Sequence, residues 1–320
     1  MPPKRAPFKI AGHQVSGGRR KKIEIPIAKL MSGTSVSLPI IVWHGKTKGP
    51  TAWISAAVHG DEIEGVEIIR RVANRISAQR MRGTVIAIPV VNVHGFNTGD
   101  RYLPDRRDLN RSFPGSRRGS LASRLAHLVM DQVVSRCDYG IDLHTGSDHR
   151  TNLPQIRADL DDSVTLRLAQ AFGAPIALHS MTRDGSLRQA ATERGAKVLL
   201  YEGGEAWRFD DNSIKAGAAG VLRVLAATGF IDPVAPDVEP SLVARSSKWI
   251  RCGRSGIIQR DVELGERVTA GEVVARIHDT FGKKLGEVKS GTTGLVIGHT
   301  QHPLVNRGDA IVHVAEVEPA

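Results

Sequence analysis

Residues 57–62 read Ala57-Val58-His59-Gly60-Asp61-Glu62. An apolar run containing Trp53, Ile54 and Ala56 leads into them. Behind them Ile63, Val66, Ile68, Ile69 and Val72 recur at near-helical spacing. A buried strand, a Gly-containing turn and a helix make the repeating unit of an α/β sheet. Ligands bind such sheets in the crevice beyond the carboxyl ends of the strands. His59 and Glu62 stand three apart across that turn, a spacing that can bring both side chains to one point.

The same alternation extends outward. Strand-like runs at 22–27, 37–43, 51–58, 83–91, 139–143 and 197–201 alternate with helical patterns at 61–75, 121–134, 163–172 and 213–228. Residues 1–24 are basic and Gly-containing and are expected to form a flexible arm. Residues 92–119 lack periodicity, and a loop that long in a compact domain is usually functional. Around Pro233-Val234-Ala235-Pro236-Asp237 the character changes to short β-branched segments punctuated by Gly. The expected division is an arm at 1–24, an α/β domain at 25–235 and a small β-rich domain at 236–320.

A second strand, 139–143, delivers His144. With His59 and Glu62 it completes a His₂Glu set, which commonly holds catalytic zinc and leaves the fourth position to water. Asp142 lies two residues before His144, on the same side of the strand. It can take the second ring N–H of His144 or His59. Glu202 follows the apolar run Val198-Leu199-Leu200, and this partly desolvated position suits a general base. Glu205 is the alternative. The 92–119 loop holds Arg101, Arg106, Arg107, Asp108, Asn110 and Arg111. Arg111 beside Asn110 can grip a substrate carboxylate, and a separate Arg can polarise a scissile carbonyl.

The chain has 320 residues, 41% of them hydrophobic and 24% charged, which places it among ordinary globular proteins. No apolar run approaches 18 residues, so no membrane span is expected. The net charge is +11, but it is spread along the chain, and at 4% aromatics there is little on which to stack bases. No nucleic-acid partner is expected. Cys137 and Cys252 are too few and too far apart for a disulfide framework, and the N-terminus lacks an apolar secretory core. The expected location is cytoplasmic.

Four motifs stand in a familiar order: His59-Gly60-Asp61-Glu62, Asp108-Leu109-Asn110-Arg111-Ser112-Phe113-Pro114-Gly115, Asp142-Leu143-His144-Thr145-Gly146 and Tyr201-Glu202-Gly203-Gly204. In this the chain resembles the succinylglutamate desuccinylase/aspartoacylase family of zinc carboxypeptidase-like proteins. The resemblance implies a phosphorylase/hydrolase-like α/β fold with a mixed sheet of roughly eight strands. It implies one zinc per chain on His59, Glu62 and His144, with Glu202 as general base. Arg101 resembles the arginine that polarises the scissile carbonyl, and Asn110 with Arg111 the pair that binds the substrate carboxylate. Here the chain carries extra residues, Pro104 to Arg107, so Arg106 and Arg107 stand as alternatives to Arg101. Residues 262–275 and 288–296 resemble parts of a barrel-sandwich fold that shapes the site's mouth. His299, His302 and His313 are expected to be strand-end or surface groups.

The function expected is zinc-dependent hydrolysis of a C–N amide bond in a small, anionic N-acyl amino acid or related N-acyl amine. A carboxypeptidase-type peptidase or an esterase would use the same set. A binding protein built on a hydrolase fold is the non-enzymatic alternative. Exposed β edges leave a homo-oligomer open.

Overall fold

The computed structural model describes residues 5–234 and 239–317. The expected boundary at 235/236 lies outside the described residues. The chain opens with β1 (Phe8–Ile10) and β2 (His13–Val15), a hairpin turning through Ala11 and Gly12, both at positive φ. β3 (Arg19–Lys29) then pairs antiparallel with β4 (Ser35–His44). Residues 5–24 therefore do not form the expected arm. Ile10, Val15, Ile23 and Ile25 are buried, while Arg19 to Lys22 stay exposed. The apolar residues are inserted singly among the charges, which hides the pattern in the sequence.

The α/β part follows in alternation: β5 (Thr47–Ala56), α1 (Glu64–Ala73), β6 (Arg82–Ile88), α2 (Val93–Thr98), α3 (Leu121–Gln132), β7 (Tyr139–Gly146), β8 (Arg150–Ala158), α4 (Ser163–Phe172), β9 (Ile176–His179), α5 (Leu187–Thr192), β10 (Lys197–Glu205) and α6 (Asp211–Ala227). Side-chain oxygens of Ser120, Asp162, Ser186 and Asp210 cap α3, α4, α5 and α6 by accepting a backbone N–H of the first turn. β6, β5, β7 and β10 run parallel in that order. Both faces of these strands are buried, so they read as unbroken apolar runs. Successive residues serve opposite faces. Ile54 joins Ile68, Val72, Leu143, Tyr201 and Val221 on the face covered by α1, α4 and α6. Trp53 joins Ile86, Leu125, Val129 and Leu187 on the other face. Beside Trp53 only glycine fits at position 140, where a Cβ would stand 2.1 Å from the indole ring.

The C-terminal segment forms β11 (Leu242–Ala244), β12 (Ser246–Arg251), β13 (Gly256–Arg260), β14 (Arg267–Val268), β15 (Val273–His278), β16 (Lys284–Lys289), β17 (Gly294–Thr300), β18 (Leu304–Val305) and β19 (Ala310–Glu316). No helix occurs among the described residues after α6. β13, β15, β16 and β18 make a separate antiparallel sheet of four strands. β17 pairs with β8, and β19 and β12 continue outward. Among the described residues the α/β part supplies eight strands of the main mixed sheet, β3 to β10, as expected, and five C-terminal strands extend it to thirteen.

Candidate active site

β5 ends at Ala56, and the chain turns through Ala57 at positive φ. Gly60 lies against the backbone of α2, where a Cβ would stand 2.1 Å from the Gly95 carbonyl carbon. That close approach fixes the turn and brings His59 and Glu62 to the carboxyl end of the sheet. β7, next to β5, carries Asp142 opposite Ser55 and His144 two residues before its end at Gly146. His59 Nδ1 lies 2.7 Å from Glu62 Oε1, and His144 Nδ1 lies 2.7 Å from Glu62 Oε2. His144 Nε2 bonds Asp142 Oδ2 at 2.9 Å, and Ser55 Oγ donates to Asp142 Oδ1 at 2.6 Å.

Each of His59, Glu62 and His144 is buried and offers one ligand atom, all within 4.8 Å of one another. Burial opposes ionisation of Glu62, but the two imidazoles outweigh it and hold the carboxyl well below its usual range. Burial likewise opposes the charge on the histidines. Glu62 and Asp108 raise His59, and Asp142 and Glu62 raise His144 well above the ordinary value. Two imidazoles turned onto one buried carboxylate, each with a carboxylate behind it, fit a divalent transition-metal ion. His59 Nε2 is buried without an aligned hydrogen bond and lies 3.3 Å from Asp108 Oδ1.

The long loop closes one side of the cavity. Asp108 accepts the Asn110 N–H at 2.8 Å and opens a short 3₁₀ turn at Leu109–Arg111. The Asn110 side-chain carbonyl accepts the Leu187 N–H of α5 at 2.9 Å. That orients its amide as a donor. The Arg111 guanidinium bonds the Asn110 carbonyl at 2.6 Å, and both residues line the cavity. Arg101 also lines it, with Nη2 3.0 Å from Asp108 and Nη1 3.4 Å from Glu62. Arg106 and Arg107 are exposed and lie outside the cavity wall.

Across the cavity Glu202 Oε2 accepts from Asn152 Nδ2 at 2.6 Å, and Oε1 lies 3.4 Å from Arg157 Nε. Glu205 faces a different cavity, beside Trp207, and pairs with Arg208 at 3.1 Å. Arg188, buried on α5, donates to the carbonyls of Ser180 and Met181. Burial lowers its pKa to about 10, with the nearby Arg157 acting the same way. Trp249 of β12 adds a C-terminal wall, with the Arg150 guanidinium 5.1 Å over its ring. Sequence reasoning gave no role to Ser55, Asp108, Asn152, Arg157, Arg188 or Trp249. His299 lies near the end of β17, as expected, but is buried, and His302 is exposed, as expected. His313 is instead buried in the middle of β19 and stacks on Trp249 at 4.5 Å.

The catalytic-domain model of the succinylglutamate desuccinylase/aspartoacylase family matches residues 48–228. A curated relative, the N-alpha-acetyl-L-2,4-diaminobutyric acid deacetylase of Halomonas elongata, is 29% identical over 95% of this chain and 93% of its own. The succinylglutamate desuccinylase of Burkholderia cenocepacia is 26% identical over 59% of each chain. The crystal structure of a succinylglutamate desuccinylase/aspartoacylase from Rhodobacter sphaeroides superposes with a TM-score of 0.83 at 28% identity, covering 95% of this chain and 98% of that one. The family model spans the strands and turns that carry His59, Glu62, Arg101, Asn110, Arg111, His144 and Glu202, and the chain belongs to the succinylglutamate desuccinylase/aspartoacylase family.

Proposed function

We propose that this chain is a zinc-dependent amidohydrolase that removes the acyl group from a small anionic N-acyl amino acid. The observation that carries this reading is the convergence of His59, Glu62 and His144 with Glu202, Asn110 and Arg111 around one cavity. The curated relatives support it, being named a deacetylase and a desuccinylase. The cavity holds about 200 Å³, below the roughly 300–1,000 Å³ of pockets for drug-sized ligands, which favours a small substrate over a peptide. Six arginines against two glutamates line it, which favours an anion.

A zinc ion on His59, Glu62 and His144 supplies Lewis acidity for the acyl carbonyl and the attacking water. Asn110 and Arg111 bind the substrate carboxylate and set the amide against that centre. Arg101 donates to the carbonyl oxygen as it gains negative charge. Glu202 takes one proton from the attacking water and delivers it to the amine nitrogen as the C–N bond breaks.

The finer fold description belongs to the same reading. A parallel centre of β6, β5, β7 and β10 supports a phosphorylase/hydrolase-like domain at 25–235. Ile250, Val274, Val288 and Val312, drawn from both sheets, share one C-terminal core, which supports a barrel-sandwich-like domain at 236–320. Cys137 and Cys252 as free thiols suit a cytoplasmic location.

The test is metal analysis of the purified protein joined to an amine-release screen over N-acetyl, N-succinyl and N-formyl amino acids, dipeptides and esters. One zinc per chain with release from N-acyl amino acids is expected. Release from dipeptides alone would assign a peptidase. No turnover after zinc is restored would sink the reading.

A further inference from the structure

We propose that Asn152 is the positioning residue for Glu202, and that Gly298 of β17 leaves the space in which Asn152 does this. The inference rests on Glu202 as the proton carrier. Asn152 is 5% exposed, and its Nδ2 donates to Glu202 Oε2 at 2.6 Å. Arg157 Nε stands 3.4 Å from the other oxygen but has no aligned hydrogen bond. Arg157 therefore gives Glu202 a charge, and Asn152 gives it a direction. Without the amide the carboxylate is free to turn onto the guanidinium, where a base serves poorly as a proton acceptor.

The Asn152 backbone is held on both sides, opposite Gly204 of β10 and Gly298 of β17. Gly298 does not adopt the left-handed backbone that favours glycine. Its missing side chain has another use. A Cβ there would stand 2.7 Å from Asn152 Oδ1, closer than real contacts allow. The other neighbours are no nearer than 3.4 Å, so the Asn152 amide is the group that would have to move. Gly298 also follows a bulge, since Val296 faces Val314 and Gly298 faces His313 on β19. The C-terminal strands thus reach the chemistry through Gly298, Asn152 and Glu202 in turn.

The test uses the zinc-loaded full chain and the N-acyl amino acid that the amine-release screen selects. Asn152→Ala is expected to lower kcat about 10²-fold with KM changed by less than about threefold, the cost of misplacing a reacting group. Gly298→Ala, outside the cavity wall, is expected to lower kcat about 10-fold in the same pattern. The double variant is expected to be no slower than Asn152→Ala, because both act through one contact. A crystal structure of Asn152→Ala should show Glu202 turned towards Arg157. Melting temperature and zinc content report folding, and Gly298→Ala carries the test if Asn152→Ala folds poorly.

Full kcat in both single variants, with Glu202→Gln inactive, would overturn the positioning role and leave Glu202 as the base. Additive losses in the double variant would overturn the link through Gly298. Full activity in Glu202→Gln would overturn the base assignment, and this inference with it.

Discussion

His144 gives its outer ring nitrogen to Asp142, and the ring nitrogen that faces the cavity lies 2.7 Å from Glu62. Asp142 is itself held by the Ser55 hydroxyl at 2.6 Å. A carboxylate behind a ligating imidazole fixes its tautomer and raises its basicity. Asp142→Asn is therefore expected to weaken zinc binding about 10–100-fold, with activity largely restored at saturating zinc. Chelator competition measures the first and a zinc titration of turnover the second. Loss of turnover that zinc cannot restore would assign Asp142 a direct part in the chemistry.

Zinc affinity should depend steeply on pH. His59 and His144 both hold protons more tightly than an ordinary histidine, through Glu62 with Asp108 and through Asp142 with Glu62. A metal must displace those protons. Affinity is expected to tighten as pH rises from 6 to 8, by about tenfold per pH unit for each proton displaced. Calorimetry in buffers of different ionisation heat counts the protons. A flat profile with no proton release would show that the imidazoles are neutral before the metal binds.

Arg101→Met is expected to lower kcat about 10²-fold or more with little change in KM, as for loss of an oxyanion donor. Arg106→Ala and Arg107→Ala, both exposed, should stay within about twofold of the parent, as surface substitutions usually do. Steady-state kinetics on the three variants decides among the arginines. A large loss at Arg106 or Arg107 with none at Arg101 would reverse the assignment.

His299 should make the fold acid-sensitive. Burial, helped by the Arg260 charge, lowers its pKa to about 4. An unfolded histidine titrates near about 6.5. Between those values the unfolded chain binds the extra proton, so stability falls as pH drops from about 6.5 to 4 and the loss is complete below. Denaturant melts of His299→Asn should lose on the order of 2 kcal/mol less than the parent over that interval. Equal losses would remove His299 as the cause.

Sequence legibility followed how local each signal was. His59 and Glu62 stand just beyond the apolar run of β5, and His144 stands where the apolar run of β7 stops, so local sequence marks them. Asp108 approaches His59 only because the long loop folds back over α2, a tertiary event with no local pattern. β8 reads Arg150-Thr151-Asn152-Leu153-Pro154-Gln155-Ile156-Arg157-Ala158, with Pro and few alternating apolar residues. Its polar side chains face the cavity instead of solvent, so a strand that carries Asn152 and Arg157 looks like a loop. The N-terminal strands were masked by charge in the same way. The thirteen-strand sheet depends on β17 meeting β8 across 142 residues, as in the bond from Gln155 to the Ile297 carbonyl, which no periodicity announces.

That pairing also governs how the chain can be cut. β8 has β10 along one side, and on the other β17 beside Arg150–Asn152 and β9 beside Gln155–Ala158, so only the first half of that edge depends on β17. A truncation after α6 would keep nearly all of the segment that matches the family model, yet it would strip a neighbour from β8. The exposed row of N–H and C=O groups invites strand addition from another molecule. Such a fragment should aggregate rather than survive as a minimal enzyme, and the intact chain should melt in one transition.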